Sequence, residues 1–313
     1  MSLDHFLDRV VEFFTSLRLT VVCLAFGMAL VFFGTLAQVD MGLYKAQNEF
    51  FRSFIVFWGP KGASWKMPVL PGGYLVGGVL LLNLIAASFK RFGFGRKKAG
   101  IWMVHFGLIL LLLGQFLTDV LSRESTLHLR EGEARNYTEA DRQAELAIVD
   151  TTEADSDKVV AIPQGALMGQ KEIQHADLPF TVRVKHFYAN SQVQNRPAEA
   201  TTPPPANQGF GPQAVVEELP RVTETDRRDI PSAIVELVTP QGTSLGSWLV
   251  SEYIEQPQKF NWNQRSYQLA MRPRRYYSPF SLQLLEFRHD VYPGTDIPKN
   301  FSSRVLLQRP AAG

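Results

Sequence analysis

The chain has 313 residues, with 32 Lys and Arg against 30 Asp and Glu and a single cysteine. A net charge of +2 without a basic stripe excludes a nucleic-acid footprint. The lone Cys23 excludes a disulfide framework, a CxxC pair and a cysteine-based zinc site. Length allows about two domains, and a near-neutral mean hydropathy hides two unlike halves. Residues 18–120 are dominated by Leu, Val, Phe and Gly, whereas residues 121–313 carry most of the charge and proline.

Residues 1–17 form an amphipathic segment in which Leu3, Phe6, Leu7, Val10, Val11 and Phe14 share one helical face. It is too short to cross a bilayer, so it lies at the headgroup level or packs on neighbouring structure. The run Leu19 to Val39 has only Thr20, Thr35 and Gln38 as polar residues and is long enough to span. Gly34-Thr35-Leu36-Ala37 weakly resembles a signal-peptide cleavage site. The run is nevertheless longer than a signal core and its leading segment is not strongly basic, so it reads as a retained span. Cys23 within it reads as a small apolar packing residue. Phe50, Phe51, Phe54, Phe57 and Trp58 make a second short aromatic stripe, with the same two readings as the first segment.

The second span is expected at Gly73–Phe89 and the third at Gly100–Val120, which gives spans at about 19–39, 73–89 and 100–120. Gly27 and Gly34, the Gly73-x-x-x-Gly77 pair, and the series Gly100, Gly107, Gly114 suggest close approach of helix backbones. Asn83 and Gln115 read as interhelical hydrogen-bonding groups. The loop between spans two and three carries Lys90, Arg91, Arg96, Lys97 and Lys98 and no acid. Lys45, Arg52, Lys61 and Lys66, and Arg123, Arg130 and Arg135, stand on the opposite side. Short loops obey the positive-inside rule best, so the tight cluster is read as cytoplasmic. The N-terminus is then cytoplasmic and residues 121–313 extracytoplasmic.

His105 stands out in the third span, roughly 7–8 Å along the helix from its cytoplasmic end. Intramembrane ionisable residues usually face a partner or a cavity, and a neutral imidazole offers a lone pair suited to a metal. The structural alternative is an imidazole bonded to a carbonyl of another helix, or one snorkelling to the near interface. Gly107 projects from nearly the opposite side, so a glycine face can pack while the imidazole points elsewhere. His5 sits in the amphipathic segment, and His128, His175, His186 and His289 lie apart in sequence, without HxxxH or HxH pairing, and read as ordinary strand or loop residues.

From Ser122 the pattern turns to short alternating runs, such as Phe180–Phe187, Ser232–Thr239, Ser266–Arg272 and Phe280–Phe287. At least seven such segments predict an extracytoplasmic, mostly β domain over 121–313, an antiparallel sandwich or open barrel. Residues 191–231, with Pro203-Pro204-Pro205, are expected to form a flexible excursion. No phosphate loop, nucleophile elbow or paired-carboxylate spacing is present, so the domain reads as a docking module.

Several strings then occur in a telling order: Ser16-Leu-Arg-Leu-Thr20, Phe33-Gly-Thr-Leu-Ala-Gln38, Pro71-Gly-Gly-Tyr74 and Gly100-Ile-Trp-Met-Val-His-Phe-Gly107. They are followed by Asp290-Val-Tyr-Pro-Gly-Thr-Asp-Ile-Pro-Lys-Asn-Phe-Ser-Ser-Arg304, and together they resemble the ResB family of system II cytochrome c maturation. The resemblance runs over nearly the whole chain apart from 191–231. It implies a subunit of the bacterial cytoplasmic (inner) membrane that works with a ResC/CcsA-type membrane protein. The pair would carry haem b outward and present it to the CxxCH motifs of apocytochrome c. It implies His105 as one axial ligand of the iron, with the other ligand and a tryptophan-rich segment from the partner. Trp58, Trp65, Trp102, Trp248 and Trp262 are scattered, which fits that division of labour. Family members continue into more β structure and a further span, so a chain ending at Gly313 is expected to be a short form or a fragment. The resemblance implies an accessory subunit that is no enzyme by itself. The alternative is a membrane-anchored assembly scaffold without a direct haem ligand. Quinone or b-type cytochrome chemistry, which normally needs two facing histidines in the spans, ranks last.

Overall fold

The computed structural model describes residues 3–60, 65–91, 98–197, 199, 203–224 and 227–309. The chain divides into two compact units, residues 1–122 with 223–227, and residues 123–222 with 228–313.

The first unit opens with helix α1 (Leu3–Phe14) and α2 (Leu17–Met41), followed by α3 (Leu43–Ala46), which runs into a π-helical turn over Gln47–Phe51. An antiparallel hairpin of β1 (Ile55–Trp58) and β2 (Met67–Pro71) leads to α4 (Gly73–Arg91) and α5 (Ala99–Leu121). Helices α2, α4 and α5 are long and apolar enough to cross a membrane. The 25 residues of α2 extend about 37 Å, against a hydrocarbon core of about 30 Å. The basic run read for orientation falls largely on residues 92–97, which lie outside the described residues.

Helix α4 packs against both α2 and α5. Its Asn83 is fully buried. Thr20 Oγ1 donates to Asn83 Oδ1 at 2.6 Å, while Asn83 Nδ2 donates to the Phe14 and Ser16 carbonyls at 2.7 and 3.1 Å. Those carbonyls belong to the corner between α1 and α2, where the side chain of Ser16 caps the N-terminus of α2. An unmet backbone oxygen at membrane depth costs several kcal/mol, so one amide secures the whole corner. Asn83 is thus the interhelical bonder expected of it. Gln115 is exposed and has no hydrogen-bond partner among the described residues.

The aromatic stripe divides between the two readings offered for it. Phe50 is buried in a cluster with Cys23, Leu30, Val56 and Val76, whereas Phe54, Phe57 and Trp58 are exposed. A Cβ on Gly34 would stand 3.0 Å from the Phe51 ring, and one on Gly73 would stand 2.4 Å from the Phe51 carbonyl oxygen. These two glycines therefore admit the aromatic turn and not a neighbouring helix. Gly27, Gly77, Gly100, Gly107 and Gly114 have nothing within 4 Å, so within this chain they do not bring helices together.

The second unit is mostly antiparallel β. Its strands are β3 (Ser125–Thr126), β4 (Ala134–Asp150), β5 (Lys158–Pro163), β6 (Glu172–Ile173), β7 (Thr181–Tyr188) and β8 (Ser191–Asn195), with the short helix α6 (Gln164–Gly169) between β5 and β6. They continue as β9 (Ala214–Glu218), β10 (Ser232–Val238), β11 (Ser244–Ser251), β12 (Gln258–Trp262), β13 (Arg265–Val291) and β14 (Pro298–Gln308). One sheet runs β12-β13-β4-β3, with β14 beside β13 and β5 beside β4; the other runs β11-β10-β7-β6. A common core joins them: Leu146, Ile148, Val160, Leu269 and Met271 from the first meet Val182, Val235, Leu237, Trp248 and Val250 from the second. Of the two architectures expected, the shared core makes this a sandwich, and the sheets do not close into a barrel.

Two expectations about this unit change. Ser266–Arg272 and Phe280–Phe287 are parts of one 27-residue strand, β13. Pro273 and Pro279 lie inside this strand. The ladder slips register between Pro273 and Arg275 and again between Tyr277 and Leu282, and such irregular points tolerate a residue without an N–H. The stretch 191–231 is not simply a flexible excursion either. Its β8 and β9 pair with each other, and Ala206, Val193, Ala214 and Val216 pack on Ile234 and Leu249. Strand β10 consequently buries both faces, as its near-continuous apolar run Ser232-Ala-Ile-Val-Glu-Leu-Val238 allows. Asn263 and Gln264 both take positive φ, 51° and 63°, which suits the two-residue turn joining β12 to β13.

Candidate membrane histidine site

In α5 the partly covered residues are Trp102, His105, Ile109, Leu112 and Asp119, spaced by multiples of three and four, so they form one stripe. Both ends of that stripe meet α4. Near the start of α5 the Trp102 ring lies 6.1 Å edge-to-face from Phe89, and near its end the Tyr74 hydroxyl donates a hydrogen bond to Asp119. His105 therefore sits on the covered side of α5, one turn beyond Trp102. The glycine series Gly100, Gly107, Gly114 looks away into open space. This reverses the expected assignment, in which the glycine face packs and the imidazole points elsewhere. Bulky side chains at 102, 109 and 112 fill the space beside α4, so glycine is not needed there.

The imidazole Nδ1 lies 2.9 Å from the carbonyl oxygen of Ile101, one turn back in the same helix. A carbonyl only accepts, so Nδ1 carries the proton and the lone pair of the neutral ring is on Nε2. This carbonyl belongs to α5 itself. An Nδ1–H held by a carbonyl is the usual outer support of a metal-binding imidazole, and it fixes both tautomer and ring orientation. The donor set fits one axial position of a haem iron. The three long helices hold a single histidine between them, so any second ring-nitrogen ligand would have to come from outside them.

The remaining histidines do not converge. His5 and His128 are exposed, and His175 Nδ1 accepts from the Asp177 backbone N–H at 3.2 Å. His186 lies tilted against Tyr188 at 4.2 Å, and His289 lies parallel to Phe301 at 4.5 Å between ring centroids. Among the described residues no group of three or more His, Cys, Asp or Glu side chains is placed to hold a metal.

A second polar centre escaped the sequence reading. At the far end of α5 the Asp119 carboxylate takes the Tyr74 hydroxyl on one oxygen and Arg52 Nε, at 2.7 Å, on the other. The Asp119 side chain is only 10% exposed, against 46% for Arg52. One carboxylate thus ties the π-helical turn region, the start of α4 and the end of α5. The available signal was a lone acid in an otherwise apolar helix, which membrane energetics marks as paired; its partners lie 45 and 67 residues away in sequence. No protein-family model and no curated protein matches the chain.

Proposed function

We propose that the chain is a ResB-type subunit of a system II cytochrome c maturation complex in the bacterial cytoplasmic membrane. In this reading it helps to carry haem b outward and to present it for attachment to apocytochrome c, in company with a ResC/CcsA-type protein. His105 would hold the haem iron through Nε2, with a second nitrogen coming from the partner. The reading is supported above all by the Nδ1–H to Ile101 bond, which turns the metal-binding nitrogen of the sole histidine of the three long helices outward from its own helix backbone. When bound, haem supplies the iron that His105 ligates; this chain orients the imidazole and contributes no bond-making group. The N-terminus is cytoplasmic and residues 121–313 are extracytoplasmic, on the strength of the basic residues 90–98.

A scaffold reading draws on the same hydrogen bond, because an imidazole satisfied by its own helix and half covered beside α4 also packs well without iron. Pyridine haemochrome absorbance of the protein purified with its partner separates the two. Haem is expected to fall in His105→Gly and to return when imidazole is added. Unchanged haem in that variant would leave a scaffold, with iron held elsewhere.

A further inference from the structure

The β unit begins at Arg123, two residues past Leu121, where α5 ends. Two extended residues reach about 7 Å, and each headgroup layer is about 5–8 Å deep. With α5 across a bilayer, this tether holds Arg123 at the depth of the lipid phosphates. Arg123 Cζ stands 5.6 Å from the centre of the Tyr276 ring, and Arg274 Cζ stands 5.4 Å from the same ring. The Tyr276 hydroxyl donates to Gln143 Oε1 at 3.1 Å, and an Arg274 terminal nitrogen reaches that oxygen at 3.4 Å. One ring and one amide thereby orient two guanidinium groups.

A ring face attracts a cation without neutralising it. Other arginines of β13 are neutralised, Arg265 by Asp150, Arg272 by Glu145 and Arg275 by Glu139, at 2.9–3.0 Å. Among the described residues neither Arg123 nor Arg274 has a carboxylate within ion-pair distance. Both groups keep forked donors able to grip a phosphate with two parallel bonds.

We propose that Arg123 and Arg274, spread on Tyr276, bind the phosphate of an anionic phospholipid in the leaflet where α5 ends. The site is independent of haem and requires only that α5 crosses the bilayer. The test uses the full chain in nanodiscs of equal phosphatidylcholine and phosphatidylglycerol, followed by native mass spectrometry of the lipids retained after extraction. The wild type is expected to retain phosphatidylglycerol preferentially, by about fivefold for each arginine. Arg123→Gln with Arg274→Gln is expected to remove the part of the preference these two arginines contribute, leaving that of the basic residues 90–98, and the Arg→Lys pair to keep part of it. Arg288→Gln, whose arginine is already paired with Glu286, is expected to leave the preference intact. Equal retention in wild type and the Gln pair overturns the proposal. Displacement of the lipid by added inorganic phosphate would assign the site to soluble phosphate and also overturn it. Hydrogen exchange of unmutated protein is a readout that does not depend on variant folding. Slower exchange at 123–126 and 274–277 in phosphatidylglycerol than in phosphatidylcholine discs is expected, and equal exchange counts against the site.

Discussion

The two units bury their side chains in opposite senses. In the β unit Trp248, Leu146, Leu249 and Leu269 are all but inaccessible and join two sheets through common cores. In the membrane unit α5 has no buried residue at all, and α2 has three, Cys23, Leu30 and Gly34. Water drives the first arrangement, since each buried side chain of Leu size contributes about 1.5–3 kcal/mol. Lipid removes that drive, so apolar side chains face outward without penalty and polar groups decide which helices meet. Burial marks the core of one unit; Asn83 and Asp119 mark the joints of the other.

The largest expected effect exploits this difference. Trp248→Ala should destabilise the β unit by about 3–5 kcal/mol, as loss of a fully buried aromatic does. It would be read as lost exchange protection in β10 and β11. Leu111→Ala, at a position 65% exposed on α5, should change stability in detergent by less than about 0.5 kcal/mol. Similar losses at both sites would mean that α5 is covered by something other than lipid or detergent.

A smaller loss is expected where a polar joint is cut. Asp119→Ala leaves Arg52 and Tyr74 without their acceptor and should cost about 1–3 kcal/mol in a detergent melt, near the lower end because Arg52 is half exposed. Asp119→Asn keeps an acceptor for Tyr74 and loses the charge, so it should fall between wild type and the alanine variant. If both variants melt like wild type, the carboxylate is not a joint, and aromatic packing of Tyr74 on Phe54 and Phe116 holds that end unaided.

Legibility in sequence followed the same division. The three spans were readable to within two residues of α2, α4 and α5, because a bilayer demands one long apolar run for each crossing. Strands β7 and β10 were both read as alternating runs, although β10 proves to be buried on both faces. What sequence hid was pairing at a distance. Arg52 with Asp119, and β8 with β9 across 18 intervening residues, leave no local pattern. Ser266–Arg272 and Phe280–Phe287 were read as separate segments for a related reason, since the pairing with β4 that joins them into one strand is not local. His105 was legible as a rare residue in a rare place; the side of α5 it occupies was decided by α4.

The smallest effect tests whether burial can also work against the β unit. Glu252, just past β11, has a side chain 7% exposed and meets an Arg228 terminal nitrogen at 2.9 Å. Burial pushes its carboxyl above the ordinary 4.5, Arg228 opposes that shift, and the nearby Glu139 adds to it. With the folded value raised, the unfolded chain ionises first as pH climbs. Glu252 therefore lowers stability progressively from the unfolded value up through the folded one, and its penalty is complete at neutral pH. Acidification from neutral should relieve it. Glu252→Gln removes the titration, so the stability difference between variant and wild type should favour the variant more at neutral pH than near the ordinary carboxylate range. Asp150, Asp177 and Glu236 are held below their ordinary values and contribute the opposite slope, which is why the difference between the two proteins, and not either curve alone, carries the sign. Amide exchange in β11 at several pH values measures it. A difference independent of pH would mean that the Arg228 pair fully offsets burial, making Glu252 a polar joint of the kind found in the membrane unit.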